Sequence, residues 1–156
     1  MAALKSPVGD RSERGAVLIE AALVLPLLLL VVLGIMDFGL LFQRYEVLTN
    51  AAREGARVGV LPGYSPADVK SRVEQYLDAG GLDKSLAKFE NPVAKTAPVP
   101  LAGGACVSVT TVTVQYPHTY TFVGGIMKFF DGVGLSTTDL TATASMRSEG
   151  PAVSCP

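Results

Sequence analysis

The sequence GAVLIEAALVLPLLLLVVLGIMDFGLLFQRYEVLTNAAREGARVG, residues 15–59, decides the fold expected for this chain. No charged residue occurs from Ala21 to Met36, and apolar residues continue past Asp37 to Phe42. As a helix, residues 16–42 would extend over about 40 Å, more than the roughly 30 Å of a bilayer's hydrocarbon core. The stretch therefore predicts a transmembrane helix at residues 16–42.

This apolar stretch differs from a secretory signal peptide. A signal peptide has an apolar core of about 7–15 residues, followed closely by small residues at a cleavage site. The residues after Met36 are Asp-Phe-Gly-Leu-Leu-Phe and offer no such site. We therefore expect the helix to remain attached to the rest of the chain.

Glu20 is a lone acid within the apolar region. A carboxylate at the centre of a bilayer costs about 2.5–3.5 kcal/mol and less near the interface, so it usually has a partner. The nearest cation in sequence is Arg14, six residues earlier. If the chain were cut between Gly15 and Ala16, the new amine would lie one helical turn from Glu20.

Four short motifs follow one another along this region: RGAVLIEA at 14–21, LPL at 25–27, DFG at 37–39 and AAREGAR at 51–57. In this order they resemble the TadE-like family, the pseudopilins or minor pilins of tight-adherence (Tad, Flp, type IVc) pilus systems. The resemblance implies that a prepilin peptidase cleaves between Gly15 and Ala16, and that Glu20 pairs with the terminal amine of a neighbouring subunit. Major pilins of these systems usually have Tyr after the Glu, so Ala21 favours a minor subunit.

The function implied by this resemblance is initiation or priming of the assembly of a Tad/Flp-type pilus by a minor pilin or pseudopilin. Its partners would be the prepilin peptidase, other pilins or pseudopilins, the inner-membrane pilus platform and membrane lipid. The alternative is an unprocessed, membrane-anchored extracytoplasmic protein for binding or adhesion. Cleavage after Gly15 distinguishes the two.

The expected location is the bacterial inner membrane, with a single membrane span. Residues 1–15 form a leader, expected to be cleaved, that contains Lys5, Arg11 and Arg14. Cationic residues favour the cytoplasmic side, although the arginines that follow the span reduce this asymmetry. We therefore expect a cytoplasmic amino terminus and an extracytoplasmic, pilin-like domain at residues 43–156.

The same helix is expected to continue over residues 43–60, with a series of small residues in this part. Glycine in a helix costs about 0.8–1.0 kcal/mol relative to alanine, so close approach of another backbone should compensate. That backbone belongs either to the domain's own sheet, which we favour, or to a neighbouring subunit's helix. The residues expected at this contact are Ala51, Ala52, Gly55, Ala56 and Gly59.

Further elements follow this helix. Ser65 and Pro66 begin a second helix at 66–79, whose apolar face would contain Val69, Val73, Tyr76 and Leu77. Residues 82–89 are predicted as a further short helix, and the Pro- and Gly-rich residues 91–104 as a loop.

Strands are expected within residues 105–147. Residues 106–116 alternate between apolar and polar, with a change of phase at Thr110 and Thr111 that predicts a bulge or an edge where the strand bends. Pro117 should end this strand. Residues 120–123 should be extended and followed by a turn at Gly124 and Gly125. Residues 126–130 fit a short helix or a strand. Core packing is the favoured role for Ile126, Met127, Phe129 and Phe130, and contact with the bilayer or a partner is the alternative. Residues 139–146 fit a half-buried strand.

The predicted fold class is therefore α+β. A long amino-terminal transmembrane helix continues into a small domain with a second helix and an antiparallel sheet of three or four strands.

Cys106 and Cys155 are the two cysteines of the chain. In an oxidising compartment, a disulfide between them would close a loop of about 50 residues and stabilise the fold by roughly 4 kcal/mol. Two free thiols, or a disulfide to another chain, are the alternatives.

The composition argues against several other function classes. A net charge of −1 and a pI of about 5.8 provide no basic surface for nucleic acid. One histidine and two distant cysteines do not form a zinc site, and no cofactor motif occurs. His118 is expected at the surface and Asp37 at the outer membrane interface. We therefore predict that the protein is not an enzyme. The remaining alternative is an envelope enzyme whose catalytic residues the sequence does not reveal, and loss of hydrolytic activity on mutating His118 would support it.

Overall fold

The α+β class predicted from the sequence is confirmed. The computed structural model describes residues 9–101, 104, 106–131, 137–148 and 155, with side chains for all of these except residues 9–14, 127 and 129–131. Along the chain the elements are α1 Gly9–Gly59, α2 Pro66–Ala79, a short 3-10 helix Lys84–Leu86, β1 Lys88–Pro100, β2 Cys106–Thr119, α3 Val123–Asp131 and β3 Thr137–Arg147. The strands form one antiparallel sheet in the order β1-β2-β3. Residues 1–8 of the expected leader lie outside the described residues.

Helix α1 is 51 residues long and has two parts with different surroundings. In the described chain, one helix is long and apolar enough to cross a membrane, with a mean hydropathy of 2.9 in a window that is not buried at all. The second part of α1 packs on the sheet and α2, where Leu48, Ala51 and Ala52 are fully buried. The first part of α1 is therefore an exposed apolar helix, and its second part belongs to the folded domain.

Helix α2 begins with a capping box. Ser65 Oγ accepts a hydrogen bond from the amide of Asp68, whose carboxylate in turn accepts one from the amide of Ser65 at 2.8 Å. Val69, Val73 and Leu77 are buried as predicted, whereas Tyr76 is exposed. The capping box fixes the start of α2, and the buried face packs α2 against α1.

Strand β1 corrects the loop predicted at residues 91–104. Residues 88–100 pair with β2, and the helix expected at 82–89 is reduced to the single turn Lys84–Leu86. Proline is tolerated here because β1 is an edge strand. The pairing register shifts between Phe89 and Ala94, the interval that contains Pro92.

Strand β2 is regular where a bulge was predicted. Its pairing with β3 runs without interruption from Val109↔Arg147 to Thr119↔Thr137. The change of phase reflects a buried polar residue: Thr110 faces the core, with its Oγ1 3.0 Å from Oγ1 of Thr96.

Pro117 does not end β2, contrary to the prediction. The amide of Ser148 in the β3 segment donates to the carbonyl of Ser108 in β2. The backbone N–H and C=O groups of even-numbered residues in β2 therefore point toward β3, and those of odd-numbered residues point toward β1. The pairing of β1 with β2 reaches only as far as Gln115. The missing N–H of Pro117 therefore lies beyond the end of the neighbouring strand, where it breaks no hydrogen bond of the ladder.

The extended segment predicted at 120–123 is not formed, because residues 121 and 122 are a bend that leads into α3, and α3 replaces the turn predicted at Gly124 and Gly125. It begins at Val123 and contains both glycines in its first turn. For residues 126–130 the structure selects the helix from the two expected alternatives. Core packing was the favoured role for Ile126, Met127, Phe129 and Phe130. Ile126 is half-buried and outside the core cluster, and the side chains of the other three lie outside the described part of the chain.

Strand β3 has the alternation predicted for it, with Leu140, Ala142 and Ala144 buried against α1. Small side chains at these positions let the sheet lie close to the helix. The core formed by α1, α2 and the sheet contains Leu48, Ala51, Ala52, Ala56, Val58, Val69, Val73, Leu77, Leu82, Val112, Val114, Tyr116, Leu140, Ala142 and Ala144.

Candidate assembly site

The amino-terminal half of α1 is the largest exposed apolar surface of the described chain. Most of its large apolar side chains from Val17 to Phe42 are between 39% and 74% exposed, whereas Leu33 and Leu41 are half-buried. An apolar surface of this size on a single helix is covered in nature by lipid or by other helices. This half of α1 is therefore suited to a membrane and to helix-to-helix association.

Three residues at the start of this surface were predicted as a processing site and an assembly contact. Gly15 and Ala16 lie within continuous helix, and no atom lies within 4 Å of a Cβ built at Gly15. Glu20 is exposed and has no ion pair or hydrogen bond within the described part of the chain. Its carboxylate is available to a partner outside this chain.

The small residues in the carboxyl-terminal half of α1 contact the domain itself. A Cβ at Gly55 would lie 2.5 Å from Cγ2 of Val73 in α2, and a Cβ at Gly59 would lie 3.0 Å from Cγ2 of Thr110 in β2. Ala51, Ala52 and Ala56 are fully buried in the same core. Both glycines are therefore explained by the approach of α2 and the sheet, without a neighbouring subunit.

Asp37 was expected at the outer membrane interface rather than as a buried acid, and the structure corrects the expected exposure. It is 1% exposed, and its carboxylate accepts hydrogen bonds from three consecutive amides. The distances are 3.0 Å to Thr121 N, 3.0 Å to Phe122 N and 2.7 Å to Val123 N. These amides precede and begin α3, so Asp37 of α1 caps α3 from a different part of the chain.

His118 is buried, not at the surface as predicted. It is 1% exposed, its Nδ1 lies 3.3 Å from Nη1 of Arg44, and its ring meets Tyr120 edge to face at 4.9 Å between centroids. Because a guanidinium can only donate, Nδ1 accepts and the ring proton is on Nε2, a buried atom with no partner. Burial, and then the charge of Arg44, lower the pKa of His118, so the neutral ring is the stable form in the fold.

A small cavity of about 180 Å³ lies beside this junction, lined by Asp37, Phe38, Tyr120, Val123 and Thr138. The lining is mainly apolar, and the carboxylate of Asp37 is already satisfied by backbone amides. Within the described residues, no group of three or more His, Cys, Asp and Glu side chains could hold a metal ion. The backbone amides of residues 121–123 therefore account for the burial of the Asp37 carboxylate.

Glu54 is a half-buried acid near the outer end of α1. Its side chain is 19% exposed and accepts hydrogen bonds from two arginines, Arg57 at 2.7 Å and Arg72 of α2 at 2.9 Å. The hydrogen bonds of Arg57, and then those of Arg72, lower the pKa of Glu54 to about 2. Glu54 therefore connects the outer end of α1 to α2.

Cys106 and Cys155 are joined by a disulfide, with their Cα atoms 5.3 Å apart. The bond connects the start of β2 to residue 155 near the end of the chain. A disulfide is stable in an oxidising compartment, which is consistent with a domain outside the cytoplasm.

Sequence reasoning missed the role of Asp37, although a signal was present. The argument applied to Glu20, that a carboxylate beside an uncharged apolar run needs a partner, applies equally to Asp37. No local pattern identifies that partner, because the amides it binds are 84–86 residues away in the sequence.

The comparison with known protein families identifies α1 as the part of the chain that matches a family. The model of the TadE-like protein family matches residues 15–57, which include the exposed half of α1, Asp37 and the packed half as far as Arg57. The resemblance to the TadE-like family is confirmed over this helix, which associates the chain with Tad pilus systems. No curated protein and no solved structure matches the chain significantly.

Proposed function

We propose that this protein is a minor pilin or pseudopilin that takes part in the initiation or priming of a Tad/Flp-type pilus. The observation that carries the proposal is the first half of α1: an exposed apolar helix that matches the family and contains an acid, Glu20, with no ion pair or hydrogen bond among the described residues. A helix of this kind can be held in the membrane and later associate with other helices of the same kind. The small domain at its end is then presented outside the cytoplasm.

The proposed processing step is hydrolysis of the peptide bond between Gly15 and Ala16 by a prepilin peptidase. Cleavage removes the leader and leaves a positively charged amine on Ala16. In a helix, Ala16 and Glu20 are one turn apart, so the amine of one subunit and Glu20 of another meet when their helices lie side by side in near register. Their pairing would offset the cost of a carboxylate in the apolar layer.

The membrane platform and the other pilins or pseudopilins of the system are the proposed protein partners, and lipid surrounds the span before assembly. The glycines at 55 and 59 are already in contact with the domain's own side chains. Assembly contacts are therefore assigned to residues 16–42 and not to the packed half of α1.

Co-purification tests the proposal. The full-length protein and its Glu20→Gln variant are expressed in cells with the complete Tad system and an active peptidase, and pilus subunits recovered with each are quantified by mass spectrometry. We expect Glu20→Gln to insert in the membrane normally and to recover several-fold fewer partner subunits.

Glu46→Gln is the matched control, because Glu46 is an exposed acid on the same helix outside the expected span. It should recover partners at the wild-type level. Unchanged recovery with Glu20→Gln would contradict the charge-pairing mechanism. An uncleaved chain that recovers no pilus subunit would favour an unprocessed, membrane-anchored binding protein.

A further inference from the structure

A membrane span that begins at Ala16 would leave the hydrocarbon core at Asp37. Residues 16–36 in a helix cover about 30 Å, which equals the thickness of that core. Asp37 is the first charged residue after the uncharged run, and its carboxylate is buried beneath the backbone of residues 121–123. The domain therefore begins at the membrane surface, with no linker between the span and the fold.

Helix α3 starts at this same level, because Asp37 caps it. Its sequence, VGGIMKFFD, is apolar apart from Lys128 and the final Asp131. Its described side chains stay outside the core: Ile126 is half-buried and Lys128 is exposed. An apolar helix that begins at the level of the membrane surface can have lipid as its apolar environment.

The exposed apolar surface of α1 continues without interruption to the start of α3. Phe38 and Phe42 are 57% and 65% exposed, and they continue the lipid-facing surface of the span outward past the start of α3. A short helix next to such a surface can lie in the plane of the interface, with its apolar residues toward the acyl chains and its lysine among the headgroups.

We propose that α3 is an interfacial helix that seats the domain on the outer leaflet of the membrane, and that Asp37 fixes its depth by capping it. The partner is the lipid of the bilayer that α1 spans. The inference rests on the membrane span in the proposed function and is independent of pilus assembly.

Nitroxide labels on the purified full-length chain test this in vesicles of phosphatidylethanolamine and phosphatidylglycerol. The two native cysteines form a disulfide, so one introduced cysteine can be labelled selectively. Lys128→Cys reports on α3. Gln75→Cys, at an exposed site of α2, is the matched control in the domain, and Leu28→Cys reports on the span.

Accessibility to oxygen, which concentrates in lipid, is compared with accessibility to a water-soluble nickel chelate. We expect the oxygen-to-nickel ratio at residue 128 to exceed that at residue 75 several-fold and to lie below that at residue 28. A ratio at 128 equal to that at 75 overturns the inference, because α3 would then lie in water. Low accessibility to both probes at 128 also overturns it, because protein would then cover the helix.

A second labelling experiment tests the role of Asp37. In the Asp37→Asn background, the ratio at residue 128 should fall toward the value at residue 75, while the spectrum at residue 75 stays unchanged and shows that the domain remains folded. An unchanged ratio at 128 overturns the assignment of Asp37. A lipid-exposed label at 28 with a water-exposed label at 128 would reject this inference and leave the proposed span intact.

Discussion

The Asp37 carboxylate of α1 accepts a hydrogen bond of 2.7 Å from the amide of Val123, the first residue of α3. This contact, together with those to the two preceding amides, joins the end of the apolar span to the segment that connects β2 and β3. The folded domain is thus attached to the span at its base as well as along the packed half of α1.

Replacing Asp37 by Asn should destabilise the domain. An amide oxygen can accept from part of the cluster, but its NH2 group faces backbone donors, so about 1–3 kcal/mol of the free energy of unfolding should be lost. Urea unfolding of the full chain in detergent micelles, followed by tyrosine signals, measures this. Asp139→Asn is the control: this exposed acid pairs with exposed Lys88 and should change stability by less than about 0.5 kcal/mol. Equal effects of the two variants would contradict the capping role.

Gly55→Ala should destabilise the packing of α1 on α2. The added Cβ would lie 2.5 Å from Cγ2 of Val73, and overpacking of this kind costs about 1–3 kcal/mol. In a Val73→Ala background the same change should cost at least about 1 kcal/mol less, because the clashing methyl is gone. The same unfolding measurement on all four chains gives this coupling energy. Gly34→Ala, where no atom lies within 4 Å, is the control, and additive effects of the two changes would contradict the contact.

Glu54 should contribute stability that depends on pH. Its pKa is lowered from 4.5 to about 2 by Arg57 and Arg72, so its contribution is complete above pH 4.5 and is lost as pH falls toward 2. Glu54→Gln should lower the free energy of unfolding at pH 7 by about 1 kcal/mol and weaken the pH dependence in this window. Thermal unfolding at several pH values measures this, with Glu74→Gln, whose partner Lys70 is 3.7 Å away, as the control. A pH profile identical to wild type would contradict the assignment.

His118 should make the fold less stable in mild acid. Burial and Arg44 hold its pKa below 6.5, while Asp37 acts in the opposite direction. The unfolded chain therefore takes up a proton first, so stability is complete above pH 6.5 and falls as pH drops from there toward the lowered pKa. His118→Gln should remove this decrease, as measured by the melting temperature between pH 8 and pH 5. A decrease of the same size in the variant would locate the effect elsewhere.

Local signals were sufficient to predict the elements that depend on neighbours in sequence. The uncharged run predicts the exposed half of α1, the Ser65 and Asp68 pair predicts the start of α2, and the alternation through Leu140 and Ala142 predicts β3. Each of these patterns directly fixes a backbone conformation or a buried face.

The elements that failed depend on distant neighbours. Strand β1 was predicted as a loop because proline is common there, and its tolerance arises only from its place at the sheet's edge. The start of α3 was missed because its cap is Asp37, and the burial of His118 was missed because Arg44 and Tyr120 surround it only in the folded domain. Which residues meet in these contacts is determined by the folded domain, so no spacing pattern in the sequence predicts them.

The central claim is that α1 is the assembly helix of a processed pilin-like subunit, and the amino-terminal residue of the mature protein tests it most directly. The protein is isolated from membranes of its own cells, with and without an active prepilin peptidase, and its terminus is determined by mass spectrometry. The account predicts a chain that begins at Ala16 and that forms only when the peptidase is active. A chain that retains its leader in cells with an active peptidase would contradict the account.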